Sequence, residues 1–226
     1  MIYSDEKAKI KKFVEGRDIR YLVHFTKAKN LYNILTEGLL PVQTLTNKEL
    51  AYNFNDEKRM DGYLDASCLS IQFPNYKMFY KYRCRDWSED WVILGIRASV
   101  LWEKHCMYCV ENAASNKMKN TPAYDKKGLR GLQNLYQEYP GKPSRKELKI
   151  NDSYPTHPQA EVLVFDEIGL DDILGIAFEN QYTLNNYRAI IPPTIKARVS
   201  KKLFECRIDD EHWRRKEDTW LSDRYF

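Results

Sequence analysis

No stretch of this chain approaches the roughly 20 consecutive apolar residues that a membrane-crossing helix needs. Its first residues, MIYSDEKAKIKKF, lack the apolar core of a secretion signal. A cytoplasmic protein with no membrane attachment is expected. Cysteine is scarce. Cys68, Cys84, Cys106, Cys109 and Cys206 are odd in number and irregularly spaced, which argues against a disulfide framework. Cys106 and Cys109 form a single CxxC, but no second CxxC or HxxxH joins it, and a structural zinc takes four ligands. Reduced, mostly buried thiols are the simpler reading, and no metal is expected. No GxGxxG follows a strand and no GxxxxGK[ST] occurs, so a Rossmann site or a P-loop is not expected. There is no repeat, low-complexity tract or Pro/Gly-rich linker, so one continuous domain over residues 1–226 is expected. The charge excess is small. A net charge of +4 permits an anionic partner without demanding one.

What is plentiful is aromatic: sixteen Tyr and nine Phe, which suit either a Tyr-rich core or a surface on which bases stack. Periodicity then gives the elements. IRYLVHF (19–25) alternates as a strand. Thr26 is placed to cap a following helix, KAKNLYNILTEG, with Leu31, Ile34 and Leu35 as its buried stripe. Gly38 stops that helix and Pro41 prevents its resumption. Residues 44–65 are polar, with one helical turn expected. SCLSIQF reads as a strand with Leu69, Ile71 and Phe73 inward, and WVILGIRASVLW as a more central one. Further strands are expected near 106–110, in QAEVLVF and in ILGIAFEN. Helices are expected around Leu129, Leu132 and Leu135 and in YTLNNYRAI, with a strand-like piece in the C-terminal region. Many short strands, few helices and little strict βαβ alternation indicate an α+β domain with a largely antiparallel sheet.

Four stretches could carry chemistry. His24 ends a strand just before a helix; it can bond a sugar hydroxyl or a carboxamide, or cap the helix or pack in the core. Arg59 sits among Asp56, Glu57 and Asp61. That cluster reads as a solvated ion-pair group, as an anion clamp, or as a divalent-metal site of the kind a nuclease uses. SIQFPNYKMFYKYR interleaves Phe73, Tyr76, Phe79, Tyr80 and Tyr82 with Lys77, Lys81, Arg83 and Arg85. It suits stacking on nicotinamide or nucleobases, or else a helix with an aromatic core face and a wet basic face. In QAEVLVF, Gln159 and Glu161 share a face with Leu163 and Phe165, while Ala160, Val162 and Val164 face the other way. A carboxylate in such a strand is a salt-bridge partner or a reagent. Beside a ribose it could bond the 2′-hydroxyl and stabilise an oxocarbenium-like cation as nicotinamide leaves.

In their order along the chain, HFTKAKNLYNILTEGL, NDEKRMD, SCLSIQFPNYKMFYKYR, ENAAS and PTHPQAEVLVF resemble the motif series of the DarT-type ADP-ribosyltransferase toxins. The resemblance spans residues 20–180 and leaves the C-terminal residues 181–226 unassigned. It implies an ADP-ribosyltransferase-like split pair of mostly antiparallel sheets with flanking helices. It implies NAD as co-substrate and transfer of ADP-ribose to a base of single-stranded DNA, in a toxin–antitoxin or phage-defence setting. By the resemblance, Glu161 is the catalytic carboxylate and Arg59 acts near the acceptor base and the diphosphate, supported by Asn55 and Asp56. His24 and Thr26 hold the nicotinamide riboside end, Ser70 and Tyr76 line the nicotinamide pocket, and Gln159 orients the acceptor. Lys77 and Arg83 lie in a basic stretch placed to guide the strand's backbone, with a second patch over residues 196–215. An antitoxin carrying an ADP-ribose-removing macrodomain is the implied partner. The alternatives are the same chemistry on RNA or protein, and a non-enzymatic module that binds single strands.

Overall fold

The computed structural model describes residues 2–50, 52–53 and 61–214. In chain order the elements are α1 (Ile2–Gly16), β1 (Tyr21–Lys27), α2 (Leu31–Glu37), α3 (Val42–Asn47), β2 (Ser67–Ile71), α4 (Tyr76–Arg83), β3 (Trp91–Arg97) and α5 (Val100–Glu103). There follow β4 (Cys106–Cys109), α6 (Asn116–Asn120), α7 (Gly128–Asn134), α8 (Arg145–Leu148), β5 (Glu161–Val164), β6 (Ile173–Phe178), α9 (Gln181–Tyr187) and β7 (Lys196–Val199). Among the described residues no helix is long and apolar enough to cross a membrane.

The strands line up as β4-β5-β2-β1-β3-β6-β7. Every junction is antiparallel except β6–β7. The expected division into two sheets appears as a near-break inside this order. β1 pairs with β3 along its whole length, Tyr21↔Arg97 to Lys27↔Trp91. It pairs with β2 only at Leu22↔Ile71 and Val23↔Ser70. Beyond Val23 the two strands part, and a cleft opens between the halves.

Three apolar clusters hold the sheet. The largest packs Leu22, Leu69, Leu94, Ile96, Val162, Val164 and Phe178 under Ile10 and Val14 of α1, Leu31, Ile34 and Leu35 of α2, and Leu132 of α7. The stripe expected for α2 is therefore present; α1 is a helix that the composition of its polar first turns did not announce. On the opposite face α4 lays Phe79 and Tyr82 against Val23, Trp91, Ile93 and Phe204. The aromatic core face with a wet outer face is what α4 adopts: Phe79 stacks on Phe25 at 4.6 Å, while Tyr80 stays exposed. A third, smaller cluster gathers Ala66, Met107, Cys109, Ala113, Met118 and Leu163.

Cys106 and Cys109 lie on opposite faces of β4, one in the largest cluster and one in the third, so the two thiols point apart. Burial pushes both thiols up to about 12, so they behave as small apolar side chains.

Two local expectations change. Thr26 lies inside β1 rather than capping a helix; its Oγ1 accepts from Asn30 Nδ2 at 3.0 Å. β5 begins at Glu161, because the amide of Ala160 closes a turn on His157 O at 3.1 Å. Gln159 therefore lies in that turn and does not share a strand face with Glu161. Gly38 does end α2, with φ +87°. A Cβ there would sit 2.5 Å from Ile168 O, where Leu39 and Ile168 form an isolated antiparallel bridge.

Candidate active site

Antiparallel pairing decides what meets Glu161. β2 and β4 both run against β5, so their C-terminal ends arrive where β5 starts; Cys109 pairs directly with Glu161. The loops that leave those two ends must pass over the carboxylate. Gln72 turns the first of them sharply. It adopts φ +63°, accepts the amides of Arg20 and Tyr21 on Oε1 at 3.1 and 3.2 Å, and donates Nε2 to Ser153 Oγ at 3.0 Å. Asn75 then caps α4, its Oδ1 accepting from Met78 N at 3.2 Å. That cap fixes the amide's orientation, so Nδ2 faces Glu161 Oε1 at 3.0 Å. From the loop after β4, Asn112 donates Nδ2 to the same oxygen at 3.2 Å, and its Oδ1 accepts from Ala114 N. The amide of Ala113 donates to Glu161 Oε2 at 2.8 Å.

Glu161 is 5% exposed, and a carboxylate so buried needs such donors. Bonds to a charged acceptor contribute on the order of 1.5–3 kcal/mol each, enough together to offset much of its desolvation. The side chain is thus fixed in one rotamer and faces the cleft.

The cleft measures about 1200 Å³, open solvent at its mouth included, and is lined by both half-sheets. His24, Thr26 and Asn30 line one side; Ser70, Asn75, Asn112 and Glu161 line the other. His24 reaches across the parting strands, its Nδ1 2.8 Å from Cys68 O. Thr26 is held by Asn30, which also exchanges bonds with the Asn53 backbone: Nδ2 to Asn53 O at 2.8 Å, Oδ1 from Asn53 N at 2.9 Å. Ser70 Oγ accepts from Asn75 N at 3.2 Å, tying β2 to the same turn.

Of the residues singled out in the sequence, Glu161, His24, Thr26 and Ser70 come together around this cleft. Tyr76 does not line it: its hydroxyl donates to Asp210 on the far side of α4. Arg83 pairs with Glu179 and donates to Phe204 O at 2.9 Å, and it does not line the cleft. Gln159 and Lys77 sit beside the cleft, partly exposed, outside its lining. Arg59, Asn55 and Asp56 lie outside the described residues. The second basic patch is partly self-neutralised, with Arg207 paired to Asp209 and Arg214 to Asp210, while Lys196, Arg198, Lys201 and Lys202 are exposed. Sequence reasoning missed Asn75, Asn112 and the Ala113 amide. Asn75 carried a local signal, a capping residue before an aromatic helix; the other two carried none beyond lying in ENAAS.

His157 precedes Glu161 by one turn. Its Nδ1 accepts the Gln159 amide at 3.1 Å, and its ring lies 4.7 Å from Tyr139 and 4.9 Å from Trp213. Burial pushes its pKa down to about 3; Arg207, Lys77 and Lys117 add to this and Glu111 opposes it. The folded pKa lies below the unfolded value of about 6.5. The unfolded chain therefore takes up the proton first, and stability that is full above pH 6.5 is lost as pH falls toward 3. The unfolding free energy of the wild type from urea titrations should drop between pH 7 and pH 4.5, and in His157→Gln that drop should shrink by about 2 kcal/mol.

The chain matches the family model described as "ssDNA thymidine ADP-ribosyltransferase, DarT" over residues 23–213. No curated protein sequence matches it. Among solved structures it resembles Thermosipho africanus DarTG in complex with ADP-ribose, at 17% identity and a TM-score of 0.59, covering 82% of this chain and 51% of that one. This chain thus spans about half the length of that relative. It also resembles Thermus sp. 2.9 DarT in complex with ADP-ribosylated ssDNA, at 14% identity and a TM-score of 0.59, covering 83% of this chain and 97% of that one. The same Thermus protein in complex with NAD+ aligns at 15% identity and a TM-score of 0.53, covering 83% and 98%. These likenesses establish the fold, and the family match extends over most of the sequence. The chain belongs to the DarT family of single-stranded-DNA thymidine ADP-ribosyltransferases.

Proposed function

We propose that this chain transfers ADP-ribose from NAD to thymine in single-stranded DNA, with Glu161 as the catalytic carboxylate. The observation that carries the reading is Glu161 itself: a buried carboxylate, held by three donors, on the wall of a cleft that His24 and Thr26 border from the other half-sheet. The cleft carries a few polar groups on an otherwise apolar lining, the usual make-up of a small-molecule site. A similar fold is solved with NAD+ and with ADP-ribosylated ssDNA.

The residues divide the work as follows. His24, Thr26 and Ser70 bind and orient the nicotinamide riboside end. Glu161 accepts a bond from a ribose hydroxyl and stabilises positive charge on the sugar as the C1′–nicotinamide bond breaks. The new bond forms between C1′ and a thymine nitrogen. N1 of thymidine already carries its deoxyribose, so the acceptor is the ring nitrogen N3, and its proton leaves to Glu161 or to water. Arg59, a cation at any working pH, is suited to stabilise the base as that proton departs rather than to remove it. A duplex would bury N3 in its base pair, which accounts for a single-stranded substrate. Lys77, beside the cleft, and the exposed Lys196 and Arg198 are suited to contact the strand's phosphates.

A modification of this kind harms the cell that makes it. A toxin role, with a partner that removes ADP-ribose, fits the likeness to DarTG. The test is mass spectrometry of separate single-stranded DNA, RNA and protein pools after exposure to the protein and NAD. The expected result is one ADP-ribose added to thymine-containing DNA. A product on RNA or protein alone would move the assignment to those acceptors, and NAD-independent binding would favour a non-enzymatic module.

A further inference from the structure

The C-terminal segment, which the family resemblance left unassigned, reaches the turn in front of Glu161. Arg207 is 4% exposed and Asp209 1%. Arg207 Nε donates to Asp209 Oδ1 at 2.6 Å and a terminal nitrogen donates to Oδ2 at 2.7 Å, a bidentate pair. The same guanidinium donates to Pro155 O at 2.9 Å and Thr156 O at 3.0 Å. From the other side Arg145 donates to Tyr154 O at 2.8 Å and Thr156 Oγ1 at 2.9 Å. Three successive carbonyls, of residues 154 to 156, are thus taken by two guanidinium groups. The next residue, Asp210, accepts the Tyr76 hydroxyl, and Trp213 packs edge-on to His157. The segment 207–213 therefore braces α4 against the turn 154–160.

The brace does not act on Glu161 directly. The carboxylate has its own three donors from Asn75, Asn112 and Ala113. What the brace fixes is the turn that carries Gln159, which is partly exposed beside the cleft wall where Glu161 stands. A buried ion pair adds little net stability once its desolvation is counted, whereas a planar fork with fixed donors sets geometry.

We propose that Arg207, oriented by Asp209, is a positioning residue for the acceptor strand: it holds the turn 154–160 in the shape that receives single-stranded DNA. The proposal rests on the transferase reading above. Arg207→Lys keeps the charge but replaces a five-donor fork with a compact ammonium that cannot span the carboxylate and both carbonyls. In the full chain, KM for a thymine-containing oligonucleotide should rise about tenfold or more, while KM for NAD stays within about twofold. Asp209→Asn, which leaves the guanidinium in place without its charged partner, should shift the oligonucleotide KM in the same direction by less, and it carries the test if the lysine variant does not fold. A merely structural brace would lower the folded fraction, and so kcat, with both KM values unchanged; that result would overturn the proposal, as would equal rises in both. A wild type that modifies no oligonucleotide would refute the transferase reading itself, and this proposal with it. An active wild type with unshifted variants refutes only the positioning role.

Discussion

Glu161→Gln should lower ADP-ribose transfer to a single strand about a thousandfold or more, about 4 kcal/mol of transition-state stabilisation. On the proposed mechanism the substitution removes the negative charge that would face the developing ribose cation. It also breaks the cradle. Oε1 receives the Asn75 and Asn112 amides and Oε2 receives the Ala113 amide, so either orientation of a glutamine turns its NH2 toward a donor. One buried polar contact must be lost, which should cost about 1–3 kcal/mol of stability as well. Single-turnover transfer and urea unfolding measured on the same preparation separate the two effects. A variant of near-wild-type transfer rate would remove the carboxylate from the mechanism.

Asn75→Asp should have the second-largest effect, because it changes one function of the residue and keeps the other. Aspartate is as good a helix cap as asparagine, so its oxygen can still accept from Met78 N and α4 should remain intact. The group that faced Glu161 Oε1 at 3.0 Å becomes an acceptor instead of a donor. Two carboxylates at such a distance repel by on the order of 4 kcal/mol even at an effective dielectric constant of about 20. One of them must stay protonated to well above its usual range. We expect kcat/KM to fall about a hundredfold near neutral pH, and the acid limb of the pH–rate profile to move upward. Asn75→Ala, by contrast, should lose the cap, at about 1 kcal/mol, and the bond to the carboxylate, at about 1.5–3 kcal/mol, with a smaller upward shift of the acid limb because no second charge is introduced. An unshifted profile in the aspartate variant would mean that Asn75 does not govern the carboxylate.

The carboxylate was legible in the sequence and its holders were not. Glu161 stood out because apolar residues surround it on both faces of a short strand. The donors stand 86, 49 and 48 positions away, on loops whose convergence follows only from β5 lying between β4 and β2. Alternation marked β1, β2 and β5, and a more continuous apolar run marked β3, since each has at least one face against an apolar cluster. It could not give their order. The Gln159–Glu161 pairing on one face failed because period-2 reasoning has no term for the turn that His157 and Ala160 close. Tyr76 and Arg83 misled for a different reason. An aromatic or a cation on α4 looks the same in sequence whether it meets a ligand or, as here, Asp210, Glu179 and the Phe204 carbonyl from the C-terminal region.

The short ladder between β1 and β2 has a mechanical meaning. His24 and Thr26 belong to one half-sheet and Glu161 to the other, and among the described residues the seam between β1 and β2 is short: the pairs Leu22↔Ile71 and Val23↔Ser70, with the Gln72 amide donating to Tyr21 O at its end. A seam that narrow resists shear poorly. A dinucleotide gripped at both margins would serve as a strut across it, stiffening the two leaves into one body while the bond to nicotinamide is intact.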